Sequence, residues 1–117
     1  MNKHIENIET DRKIKFPPLY KQFLANEIKD SDTYEINSKD DGTIYLYSYI
    51  DLVERNETYD IQSVEPFYFL IGQDGDLGYF IYVESGKESD VIFSVDLGAL
   101  GSLEMNEEAK DIYSLSA

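Results

Sequence analysis

Asp74 and Asp76 flank Gly75 in the run Gly72-Gln73-Asp74-Gly75-Asp76-Leu77-Gly78. Two carboxylates at this spacing could both reach one cation or one basic side chain. They could equally bond the backbone of a tight turn, as Asp side chains commonly do; this second reading is favoured. A calcium loop would need more oxygen ligands at set steps and a closing Glu, and Leu77-Gly78-Tyr79 supplies none. The glycine spacing suggests a phosphate cradle. Phosphate loops, however, run into a helix N-terminus and usually bring a lysine. Here a strand is expected to follow, and both carboxylates would repel phosphate.

Other chemistry is thinly supplied. There is no cysteine, one histidine (His4), and no Gly-x-Ser-x-Gly elbow. A nucleophile would lack a positioned base. We therefore expect no enzyme, no catalytic residue, no metal and no cofactor. The absent cysteines fit a reducing compartment. The N-terminus lacks the apolar core of a signal peptide, and no apolar run approaches a membrane span. A cytoplasmic chain with no membrane partner is expected. The sequon Asn56-Glu57-Thr58 is then incidental.

The charge is informative. The 117 residues carry -14; residues 1–24 hold five Lys/Arg against three acids, so residues 25–117 carry -16. Such a field repels nucleic acid and attracts basic partners, though acidity also serves solubility. Ten tyrosines accompany it. On one strand Phe80 and Tyr82 share a face, and Tyr79, Ile81 and Val83 share the other. Tyr45 and Tyr47 share a face with Thr43. Aromatics on a sheet's open face are either core closed by loops or a tyrosine patch rimmed by acids, the composition of a protein interface.

These residues need elements to hold them. Ile5 and Ile8 suggest a short amphipathic helix over 3–10. Pro17-Pro18 opens a second helix, over 17–26, whose buried stripe is Leu19, Tyr20, Phe23 and Leu24 and whose C-cap is Asn26. Strands are expected at 33–36 and 43–47 around the turn Asp40-Asp41-Gly42. Ser48 caps a short helix with Ile50, Leu52 and Val53. Residues 54–65 read as a polar connection. Strands at 67–71, 79–83 and 91–95, with Gly/Asp/Ser loops, predict antiparallel hairpins. Residues 97–103 read as a loop or single turn, and 106–114 as a last short helix carrying Ala109, Ile112 and Tyr113. Helices first and strands afterwards is α+β order: one domain over 1–117, an antiparallel sheet with N-terminal helices on one face.

Two of these stretches, Pro17-Pro18-Leu19-Tyr20-Lys21-Gln22-Phe23-Leu24 and Ile71-Gly72-Gln73-Asp74-Gly75, resemble the motifs of the SUKH superfamily, also called the Smi-Knr type. Those motifs are a Pro-x-x-Tyr-x-x-Phe-Leu helix and a later Ile-Gly-x-Asp-Gly hairpin. Val91-Ile92-Phe93-Ser94-Val95-Asp96 follows in the same order, so the resemblance spans about residues 5–98. The chain departs from it where Glu27, not Gly, follows Asn26, and in its short final aromatic helix. The resemblance implies an antiparallel sheet with helices on one side, and an immunity protein that neutralises a cognate toxin, often a nuclease. Fungal relatives imply the alternative, a regulatory or scaffold module with no toxin partner. On the first reading the partner is a basic protein. The expected contact residues are Asp74, Asp76, Glu84, Glu88 and Asp90, with Tyr79 and Tyr82, and Asp40 and Asp41 as second choices.

Overall fold

The computed structural model describes residues 2–29, 34–37, 42–87 and 89–115. Its elements run α1 (Asn2–Arg12), α2 (Pro18–Phe23), β1 (Tyr34–Asn37), β2 (Thr43–Leu46), α3 (Tyr49–Thr58), α4 (Ile61–Val64), β3 (Tyr68–Asp74), β4 (Leu77–Tyr82), β5 (Ile92–Asp96) and β6 (Asn106–Ala109). The strands form one antiparallel meander in the order β1-β2-β3-β4-β5-β6. This is the α+β architecture expected. Among the described residues no helix is long and apolar enough to cross a membrane.

The helices begin and end for local reasons. Lys13 takes a left-handed φ of 57° and closes α1, while the Ile14 N–H reaches back to the Glu9 carbonyl at 3.0 Å. The buried Glu9 carboxylate then accepts the Phe16 N–H at 2.8 Å and the Lys21 ammonium at 3.3 Å. It thus ties α1 to the start of α2. Pro18 occupies the first turn of α2, where a missing N–H costs nothing. The Leu19 N–H in that turn donates to the Asp90 carboxylate at 3.2 Å. Tyr20, Phe23 and Leu24 are buried as predicted, but Leu19 is only half-buried.

Asn26 does not cap this helix. The chain continues as a π-helical turn over Leu24–Ile28, closed by the Lys29 N–H on the Leu24 carbonyl at 2.8 Å. The widened turn keeps both Leu24 and Ile28 fully buried, and Lys29, with φ 53°, ends it.

Two other predicted segments differ. Residues 54–65 are mostly helical: α3 runs to Thr58 and α4 follows directly. The polar composition hid this because one polar residue, Asn56, is the buried one. Residues 106–114 do not form a helix. Asn106–Ala109 pairs with β5 as edge strand β6, and only Ile112–Ser114 makes a 3-10 turn. Ile112 and Leu115 are buried, and Tyr113 meets the Phe23 ring edge-on at 5.2 Å.

The core lies between α1–α2 and one sheet face. Phe16 packs on Phe69 at 5.4 Å, and Phe23 on Tyr34 at 5.6 Å. Tyr79, opposite Gly72 and Ser94, points to this face and is 4% exposed. Gly72 is required where β2 crosses close: a Cβ there would sit 2.6 Å from the Tyr45 carbonyl oxygen. The register slips by one residue between Leu70 and Gly72, a β-bulge beside that crossing.

Candidate functional site

The opposite sheet face carries the aromatic residues that remain accessible. By register Tyr45 faces Gln73, and Tyr68 faces Tyr82. These pairs lie at the two ends of β3, five residues or roughly 17 Å apart.

One end is a half-open aromatic cluster. Phe67 is 47% exposed, and Tyr68, Tyr82 and Phe93 are half-buried. The Tyr68 ring meets Tyr82 and Phe93 edge-on, each at 5.3 Å, and Phe67 lies 6.2 Å from Tyr82. Carboxylates rim it. The Tyr82 hydroxyl donates to Glu84, and this hydrogen bond, with burial second, raises the Tyr82 pKa. Burial, then the charges of Glu65 and Glu107, raise that of Tyr68. Lys87 reaches Glu84 at 3.8 Å. Tyrosines held neutral beside carboxylates present ring faces and acceptor oxygens together.

The other end is a cleft of about 410 Å³ between α3 and the β2–β3 edge, lined by Tyr45, Tyr47, Tyr59, Asp51, Arg55 and Gln73. Tyr45 and Tyr59 are exposed, at 45% and 38%. The Tyr47 hydroxyl donates to the Gln73 side chain, and the Arg55 guanidinium carbon lies 5.8 Å from the Tyr47 ring centre. Burial raises the Tyr47 pKa, with the Tyr59 hydroxyl adding to it and Arg55 opposing. Gly75 of the β3–β4 turn forms part of the wall.

Contrary to the favoured reading, among the described residues neither the Asp74 nor the Asp76 carboxylate bonds the backbone of that turn. Gly75, with φ 58°, makes the turn, and the Gln73 amide donates to the Gly75 carbonyl at 2.8 Å. Asp76 is exposed and Asp74 half-buried; Asp74 alternates away from Gln73, so neither carboxylate lines the cleft.

The remaining predicted contacts divide. Glu84 belongs to the aromatic cluster with Tyr82. Asp90 is engaged at the start of α2. Tyr79 lies in the core, so the open tyrosine surface does not include it. Glu88, Asp40 and Asp41 lie outside the described residues. His4 stacks on Tyr49 with ring centres 4.6 Å apart. Among the described residues no cluster of three or more acids or histidines is arranged to hold a metal ion.

Sequence reasoning missed Asp51, Arg55, Tyr59 and Gln73. Asp51, Arg55 and Tyr59 stand four residues apart, the spacing of one helix face. Reading 54–65 as a connection concealed it. The sequon residue Asn56 is fully buried, and its amide bonds the backbone, so its side chain is not available to a glycan.

No family model matches the chain, and no curated protein matches it.

Proposed function

We propose that this protein is a protein-binding module, an immunity protein that binds a basic, nuclease-type toxin and silences it by occlusion. The observation that carries this reading is the placing of accessible and half-buried aromatics beside acids at the two ends of β3: Phe67, Tyr68 and Tyr82 with Glu65, Glu84 and Glu107, and Tyr45 and Tyr59 with Asp51. Aromatic centres with charged rims are where binding energy concentrates in protein interfaces. The net charge of -14 would steer a basic partner to these sites and imitate the polyanion the partner acts on. The similarity of the Pro17–Leu24 and Ile71–Gly75 stretches to the SUKH motifs supports the same reading. Binding, on this account, needs no catalysis, metal or cofactor.

The test is direct. The purified protein is titrated into a nuclease assay of the toxin encoded beside its gene, and complex formation is measured by calorimetry. Stoichiometric inhibition with a tight complex supports the reading. Undiminished nuclease activity, with no heat of binding, would overturn it.

A further inference from the structure

We infer that the Tyr45–Tyr47–Tyr59 cleft is an anchor pocket for one arginine side chain of a protein partner, and that Arg55 occupies the cation position in the free protein. The inference rests on the binding role proposed above and adds a site and a ligand chemistry to it.

Four observations lead there. The cleft holds three tyrosines, from β2 and the residue following it and from the end of α3, with Asp51 among them. The ring faces of tyrosine attract cations, and a carboxylate nearby sets the sign of the guest. Arg55 already lies over the Tyr47 ring at 5.8 Å. Arg55 forms no ion pair among the described residues, although 24 acids are present in the chain. Finally, the hydrogen bond from Tyr47 to Gln73 fixes that ring against β3, so the platform is set before any partner arrives.

The guest is arginine rather than lysine for geometric reasons. A planar guanidinium stacks on a ring and offers paired N–H groups to a carboxylate, whereas an ammonium is a hydrated point charge. Arg55 is exposed and can swing away from the ring as the partner's arginine enters. Its presence lowers affinity twice over, by competition for the Tyr47 ring and by like-charge repulsion.

The probe is the tripeptide Ac-Gly-Arg-Gly-NH2, followed by NMR of the tyrosine rings, with Ac-Gly-Gln-Gly-NH2 as the neutral control. The arginine peptide is expected to shift the rings of Tyr45, Tyr47 and Tyr59 saturably, and the control is not. Arg55→Ala should tighten binding about threefold, and Asp51→Asn should weaken it about threefold, the size of an exposed cation–π or ion-pair contact. Both positions project from α3 outside the core, and thermal melts verify that the variants fold. Absent shifts at these three rings, or weak shifts spread over all acidic surfaces, would overturn the pocket. So would an Arg55→Ala variant that binds the peptide no better than the parent. The two readings fail separately. A basic toxin bound tightly but indifferent to Tyr59→Ala and Arg55→Ala would sink the pocket and leave the binding role. Saturable peptide binding with no toxin bound would do the reverse.

Discussion

The side-chain amide of Asn56 pairs with the backbone of Leu70 as a neighbouring strand would. Its Nδ2 donates to the Leu70 carbonyl at 2.9 Å, and its Oδ1 accepts the Leu70 N–H at 2.8 Å. The chain leaves the sheet after β2 to form α3, and β3 would otherwise have a bare, buried edge there. Gln62 extends the repair, donating to Asn56 Oδ1 at 3.0 Å and to the Tyr68 carbonyl at 2.9 Å. Buried backbone groups without partners are costly, so one helix side chain substitutes for a missing strand.

Asn56→Ala should therefore destabilise the fold by about 2–4 kcal/mol, since it leaves both Leu70 groups buried and unpaired. Asn56→Asp should cost at least as much at neutral pH, because it removes the donor and buries a charge. Urea titration checks both. A loss under about 0.5 kcal/mol for Asn56→Ala would show that water replaces the amide without penalty.

Tyr20 gives a prediction of opposite sign. Its hydroxyl is buried with no hydrogen-bond partner among the described residues. Tyr20→Phe removes the desolvated group and keeps the ring against Phe16, 5.7 Å away edge-on. The variant should be as stable as the parent or more so, by up to about 1–2 kcal/mol. A clear loss in the same titration would mean the hydroxyl has a partner.

Alkaline pH should unfold the protein through the same group. Burial raises the Tyr20 pKa, and Tyr47, Tyr68 and Tyr82 are raised as well. The folded state holds these protons while the unfolded chain releases them near pH 10. Stability is thus intact below about pH 10 and falls as pH rises beyond it, by up to about 1.4 kcal/mol per pH unit for the fully buried Tyr20 hydroxyl, with the more exposed tyrosines adding less. Phenolate absorbance in native protein should lag behind that of urea-unfolded protein. Coincident curves would contradict the burial. Tyr20→Phe should flatten the decline.

Phe23→Ala should cost roughly 3–5 kcal/mol by leaving a cavity. The ring is buried and touches both Tyr34 and Tyr113, so the truncation loosens β1 and the C-terminal turn together. A loss below about 1 kcal/mol in denaturant titration would place Phe23 outside the working core.

Association with a basic partner should be steered by charge. Exposed charges are screened over about 10 Å at 0.1 M salt. The association rate should drop steeply with salt, and dissociation should change little. Reversing Asp74 and Asp76 to Lys should slow association. Tyr82→Ala should instead speed dissociation. Stopped-flow binding across a salt series separates the two; a salt-independent association rate would assign the acidity to solubility alone.

The legibility of the sequence followed where local signals were strong. Pro17-Pro18 and the stripe after it announce α2, and Asp74-Gly75-Asp76 announces the β3–β4 hairpin. β6 was illegible because Asn106-Glu107-Glu108-Ala109 has no apolar alternation; pairing with β5 alone makes it a strand. The full length of α3 was hidden for a related reason, since beyond the buried Leu52 its second half meets the interior through the amide of Asn56. Tyr79 and Tyr82 could be placed on opposite faces by parity, but not assigned to core or surface. That depended on which face α1 and α2 cover. The cleft needed α3 to run its full length beside β2, which no short-range pattern specifies.

The sequential order of the strands bears on how the chain is made. Every strand pairs with its neighbour in sequence, and every step of the sheet except β2–β3, which spans α3 and α4, closes over a short connection. The entropy lost at each of those short closures is small. The sheet can grow hairpin by hairpin as the polypeptide emerges from the ribosome, with α1 and α2 already waiting to receive it.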